Sequence, residues 1–155
     1  MEQITENPHK NKVHRILAQS YLFFFFCFLA GIYFNLIFNF RIFKSSWVMP
    51  LGFVFLLLAT ILIIWAQKTS QDLKKGNISK ETFSQGPYVY TRTPTHLGLF
   101  FLMLGLGMII NSFFIILFAF ISFIMEKIIF LNKEEKILAE KYGAPYLEYK
   151  KSVKF

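Results

Sequence analysis

TPTHLGLFFLMLGLGMIINSFFIILFAFISFIM, from Thr93 to Met125, runs for 33 residues without an Asp, Glu, Lys or Arg. As one helix it would be about 50 Å long, against a bilayer hydrocarbon core of about 30 Å. A break is therefore expected inside it. Asn111 and Ser112 supply one, because both side chains compete for backbone hydrogen bonds and favour turns. Gly105 and Gly107 just before them permit close helix packing or bending. The stretch predicts a hairpin of two apolar helices, over 95–110 and 113–130.

Two further uncharged stretches, Ile16 to Phe40 and Ser45 to Gln67, are 25 and 23 residues long. Each is long enough to cross a bilayer. The chain is 55% hydrophobic, with 21 Phe among 155 residues, where a soluble domain spreads a smaller apolar share more evenly. The expected fold class is all-α: one integral membrane domain, a polytopic transmembrane helix bundle of about four spans. The spans are placed at 16–40, 47–66, 95–110 and 113–130. A loop at 67–94 and a short helical segment at 131–155 complete it.

Lys10, Lys12 and Arg15 precede the first apolar stretch, as they would in a signal peptide. The stretch is too long for that, and Arg41-Ile42-Phe43-Lys44 follows it in place of a small-x-small cleavage site, so a retained helix is expected. Its Phe23 to Phe26 run reads as lipid-facing bulk. The single cysteine, Cys27, has no partner for an intramolecular disulfide and no Cys or His at metal-ligand spacing, so no metal site is expected.

Charge placement tests the span count. With four spans and a cytoplasmic N-terminus, 15 of the 17 basic residues lie inside and only Arg41 and Lys44 outside. With three spans the division would be eight inside and nine outside. Four spans with both termini cytoplasmic follow. The net charge of +8 then reports topology rather than nucleic-acid binding. A chain rich in Phe, Ile, Lys and Asn, with no organelle signal, points to a bacterial inner membrane.

On this topology the two long polar segments share one face of the membrane. In the first, the second helix is expected to continue to Leu73, with Lys74 and Lys75 complementing its dipole and Gly76 stopping it. Asn77 to Thr91 should be irregular, with a turn at Gly86-Pro87, followed by Tyr88, Tyr90 and Arg92. Thr93-Pro94 reads as an N-cap followed by proline at the first helical position. That helix start, beside Arg92, suits a carboxylate or phosphate, although Arg92 could equally snorkel to lipid headgroups. In the second segment, Asn132 to Tyr142 reads as an interfacial amphipathic helix stopped by Gly143, most of its charges being solvated surface. Glu134 and Glu135 are set apart as a pair that could hold an ammonium or a ribose diol. Tyr146 to Lys151 could rest on headgroups or close over a ligand.

Taken in order, Gly86-Pro87-Tyr88, Arg92-Thr93-Pro94-Thr95-His96-Leu97-Gly98, Glu134-Glu135 and Tyr142-Gly143-x-x-Tyr146-Leu147-Glu148-Tyr149 resemble the isoprenylcysteine carboxyl methyltransferase family and its phospholipid methyltransferase relatives. The resemblance covers the C-terminal half of the chain. It implies S-adenosylmethionine-dependent methyl transfer to a lipidic or small hydrophobic acceptor at the cytoplasmic membrane face, by an enzyme without the soluble Rossmann-type fold. It implies cofactor binding by Lys80, Glu81, Thr82, Phe83, Tyr88, Thr93, Pro94, Thr95, His96, Glu134 and Glu135. Within that set, physical chemistry directs Arg92 and the helix start to the methionyl carboxylate, Glu134 to the ammonium or ribose, and Tyr88 to the sulfonium. Arg92 and Glu134 are the expected catalytic pair; catalysis would then rest on alignment and desolvation.

Two positions depart from the family pattern. Where the family has R-H-P-x-Y, this chain has Thr93 in place of His and His96 in place of Tyr. Phe130 stands where the eukaryotic isoprenylcysteine enzymes carry an Arg linked to the substrate, which argues against a prenylcysteine carboxylate as acceptor. A sterol-reductase-type enzyme using NADPH and a non-catalytic helical membrane scaffold are the alternatives. The expected partners are membrane lipids and the acceptor, with no nucleic acid.

Overall fold

The computed structural model describes residues 8–44, 47–72 and 83–153, and among these it contains helices and turns but no strand. The order is α1 (Pro8–Phe38), α2 (Val48–Asp72), a 3₁₀ turn (Gly86–Val89), α3 (Pro94–Ile110), α4 (Phe113–Met125), a π turn (Glu126–Phe130), α5 (Leu131–Tyr142) and α6 (Ala144–Ser152). The fold is an all-α bundle. Three continuous helical runs, Arg15–Phe38, Val48–Ser70 and Phe113–Tyr142, are long and apolar enough to cross a membrane. The fourth apolar helix, α3, has 17 residues and is about 25 Å long.

The break in the 33-residue stretch falls at Asn111-Ser112 and follows the local chemistry. Asn111 ends α3 in the left-handed region at φ 57°, which Asn tolerates better than most residues. Its side chain accepts from the backbone N–H of Ile42 and Phe43 (3.2 and 2.9 Å) and donates to the Phe43 carbonyl (2.7 Å). One side chain thus ties the hairpin to the loop between α1 and α2. Ser112 caps α4, its hydroxyl accepting from Ile115 N.

Small residues set the helix spacing. A Cβ at Gly52 of α2 would meet the Gly105 carbonyl of α3, and a Cβ at Gly105 would meet the Gly52 carbonyl. Farther along the same antiparallel seam, Gly98 lies against Ile63 and Ala59. Gly107 packs on Ile116 within the hairpin, and Gly31 of α1 packs on Ile115 of α4. Such close backbone approach is how apolar helices associate in lipid, where there is no hydrophobic drive between them. The remaining core is Phe24, Cys27, Phe100, Met103 and Ala119. The Phe23–Phe26 run therefore divides: Phe25 and Phe26 face outward, whereas Phe24 is 3% exposed and packs inward, because helical periodicity cannot leave four consecutive side chains on one face.

α5 is charged where α4 is not. Lys133, Glu134, Glu135, Lys136, Glu140 and Lys141 all fall within its 12 residues. The 18 residues from Phe113 to Phe130 already reach about 27 Å, close to the thickness of a bilayer's hydrocarbon, before the charges of α5 begin. This charged end of the bundle also receives the start of α1, the end of α2, the start of α3, and α6.

Candidate functional site

Gly86 places the first part of the site. At φ +55° it opens the 3₁₀ turn, and a Cβ there would collide with the Thr69 hydroxyl on α2. Only glycine meets both the dihedral and the close approach. Tyr88 follows in the turn. Its phenol hydrogen-bonds Ser70 and Thr95, and its carbonyl accepts from Tyr149 Oη of α6 at 2.8 Å. Burial, with Glu134 and Tyr21 adding to it, pushes the Tyr88 phenol up to about 12. Tyr21 of α1 hydrogen-bonds Thr95 as well, so phenols from two distant segments converge on one hydroxyl at the start of α3.

Arg92, two residues before α3, forms an ion pair with Glu135 Oε1 of α5. Lys150 Nζ of α6 lies 2.6 Å from the other oxygen of the same carboxylate. Glu135 therefore joins three segments that are far apart in sequence. Its neighbour Glu134 is different: Oε2 is buried and has no hydrogen-bond partner. Burial first, then the charges of Glu126 and Glu135, raise the Glu134 carboxyl from 4.5 to about 7. A buried carboxylate oxygen without a donor is under-satisfied, and a ligand bearing N–H or O–H groups would relieve it.

α6 closes the outer side. Gly143, at φ 62°, ends α5 and redirects the chain. Tyr146, Tyr149 and Val153 of α6 then pack with Leu138, Tyr142, Tyr88 and Phe83. The Phe83 ring lies 5.1, 5.6 and 5.8 Å from the rings of Tyr142, Tyr146 and Tyr149. The Tyr146 and Tyr149 phenols are both raised, chiefly by burial.

Of the residues singled out from sequence, Phe83, Tyr88, Arg92, Thr95, Glu134 and Glu135 come together at this end of the bundle. Thr93 occupies the N-cap position as expected but makes no side-chain cap bond; its own N–H donates instead to the Thr91 hydroxyl at 3.3 Å. Pro94 is the buried first residue of α3. His96 turns away from the others into the bundle. It is 2% exposed, with Nε2 2.7 Å from Ser20 Oγ and Nδ1 3.3 Å from Glu126 Oε1, and its ring stacks near Phe24 and Tyr21. Lys80, Glu81 and Thr82, like the expected helix end at Leu73 to Gly76, lie outside the described residues.

Sequence reading missed Tyr21, Ser70 and Glu126, and gave Lys150 no role beyond its place in the segment that could close over a ligand. None carries a local signal except Glu126, an acid placed directly after 33 uncharged residues. A cavity of about 230 Å³ beside Lys44, Met49 and Asn111 sits at the hairpin end of α3, about 25 Å from Arg92. None of the converging groups lines it.

A sequence model of the phospholipid methyltransferase family matches residues 27–145, more than three quarters of the chain. The chain belongs to that family. As a phospholipid methyltransferase family member with apolar helices of membrane-crossing length, it is an integral membrane protein with methyl transfer as its general chemistry. The match runs from the middle of α1 through the hairpin to α5 and the first residues of α6, so it takes in Arg92, Glu134 and Glu135 together. No curated protein and no solved structure matches the chain.

Proposed function

We propose that this protein uses S-adenosylmethionine to methylate a lipidic or small hydrophobic acceptor, with both termini and the site on the cytoplasmic face of a bacterial inner membrane. The observation that carries the reading is Glu134 Oε2, a buried acceptor without a donor, set among the other residues that the family pattern singled out. When bound, the cofactor supplies a methyl group activated on a sulfonium sulfur. Glu134 receives its ammonium or ribose hydroxyls. Tyr88 presents an aromatic face to a cation. Arg92 and the start of α3 take its carboxylate, with Arg92 shared between that group and Glu135. The aromatic groups of α6 exclude water from the reacting charges. Lys80, Glu81, Thr82 and Phe83 border the same turn in sequence and belong to the proposed cofactor site.

The acceptor enters from the lipid, consistent with a site built where α1, α3 and α5 meet the membrane surface. Phe130 in place of the arginine of the isoprenylcysteine enzymes argues for an acceptor other than a prenylcysteine carboxylate. The test is calorimetric titration of the purified protein in lipid nanodiscs with S-adenosylmethionine, its demethylated product and NADPH. Saturable binding of the first two, weakened at least tenfold by Glu134→Ala, is expected. Binding of NADPH alone would sink the cofactor assignment. Unchanged affinity in Glu134→Ala would remove Glu134 from the site.

A further inference from the structure

Glu126 is fully buried, neither of its carboxylate oxygens has a hydrogen-bond partner, and it is the first residue of the π turn. Such turns are rare insertions in α-helices and concentrate at functional sites, as do ionisable groups inside membrane bundles. The turn has a geometric consequence. Glu126 and Glu134 are eight residues apart, and in an uninterrupted α-helix they would differ by about 80° around the axis. A π turn takes up one extra residue, so the pair is spaced as seven residues would be, within about 20° of two full turns. Both carboxylates then lie on the inward face of one helix, about 10.5 Å apart along it.

We propose that Glu126 is a positioning residue for the site: seated against His96, it opens the π turn that aims Glu134 inward, and its charge acts through space on Glu134. This rests on Glu134 being the ligand-binding carboxylate. The surroundings support it. Glu126 is faced by His96 of α3, whose other ring nitrogen engages Ser20 of α1, and the adjacent charge on its own helix is Lys127. Glu134 is influenced by Glu126 and Glu135 on its own helical run, and in turn acts on Tyr21 of α1, Tyr88 of the 3₁₀ turn and Tyr146 of α6. Arg92 and Lys150 are both taken up by Glu135. Glu126 and Glu135 are thus the two acids that disfavour charge on Glu134, and Glu126 is the one without a cation paired to it through hydrogen bonds.

The experiment follows the Glu134 carboxyl directly, in ligand-free protein, by ¹³C NMR of glutamate-labelled samples in micelles, with Glu134→Gln to assign the resonance. Two unit charges about 10.5 Å apart at an effective dielectric of about 20 shift one another by roughly one pH unit. The Glu134 midpoint is expected to fall by that amount in Glu126→Gln. Glu126→Met provides a second variant, because replacing a poorly satisfied buried charge by an apolar side chain of similar size is often tolerated. It should give the same fall. A midpoint that stays within about 0.2 pH unit of wild type in both variants overturns the proposal. Since no cofactor is present, a protein that shows the fall but binds no S-adenosylmethionine would refute the functional reading alone. One that binds it with an unmoved midpoint would refute the present inference alone.

Discussion

Replacing Gly105 by Ala should separate α2 from α3 and weaken the whole bundle. The added Cβ would stand 2.8 Å from the Gly52 carbonyl oxygen, and the reciprocal change, Gly52→Ala, would stand 2.8 Å from the Gly105 carbonyl oxygen. Ordinary contact between these atoms begins near 3.4 Å, so the backbones must part by about half an ångström. Both obstacles are backbone carbonyls, with the Ile109 side chain also 2.8 Å from a Cβ at Gly52, and overpacking of this kind costs about 1–3 kcal/mol. The two substitutions relieve the same contact: once one has moved the helices apart, the second meets less resistance. The double variant should therefore lose less stability than the sum of the singles, by at least about 0.5 kcal/mol. Reversible unfolding in mixed detergent micelles measures all three. Because Gly86 rests on Thr69 at the far end of α2, the single variants should also weaken cofactor binding. Singles within about 0.3 kcal/mol of wild type, or strictly additive losses, would show that this seam does not hold α2.

Three further outcomes follow from the same structure. Asn111→Ala removes three hydrogen bonds and leaves a left-handed residue without its side-chain compensation, a loss of about 2–4 kcal/mol; Asn111→Gly should recover about 1 kcal/mol of it in the same unfolding assay. Tyr149→Phe deletes the bond to the Tyr88 carbonyl and should cost about 0.5–1.5 kcal/mol, with faster amide exchange in α6. The Glu134 carboxyl is raised in the folded protein from 4.5 to about 7, so the stability it contributes is full below 4.5 and is lost as pH rises through 7. The ammonium group of the ligand pairs with the ionised form of Glu134. Affinity for S-adenosylhomocysteine should therefore climb about tenfold per pH unit below 7 and level off above it, and calorimetry on Glu134→Gln should show that slope abolished.

Local chemistry was legible in the residues themselves. The break at Asn111-Ser112, the start of α3 at Thr93-Pro94, the turn at Gly86-Pro87 and the stop at Gly143 each depend on what a residue allows its own backbone to do, a left-handed Asn or Gly, a capping Ser or the fixed dihedral of Pro, and each stands where it was expected. The all-helical membrane class followed in the same way, from the lengths of apolar runs against a bilayer of fixed thickness. The motif order singled out Tyr88, Arg92, Glu134 and Glu135 without indicating how they engage one another.

Tertiary structure decided those engagements. Arg92 was expected to face a ligand and is paired with Glu135, because the start of α3 and α5 meet at the same end of the bundle. His96 was grouped with Thr93 to Thr95, yet helical rotation carries it inward to Ser20 and Glu126. Tyr21 joins Thr95 across 74 residues of chain, a separation over which spacing in the sequence carries no information. The π turn is the clearest case. The 33-residue stretch and the charges after it mark where an apolar helix turns polar, but the direction in which Glu134 points depends on one extra residue taken up in a single turn. Around that turn, His96 of α3 approaches Glu126, and Ser20 of α1 engages the other nitrogen of the same ring. Sequence therefore determined which segments form long apolar helices and which polar groups stand at their ends. Packing between distant helices determined which of those groups face one another and which carboxylate is left to meet a ligand.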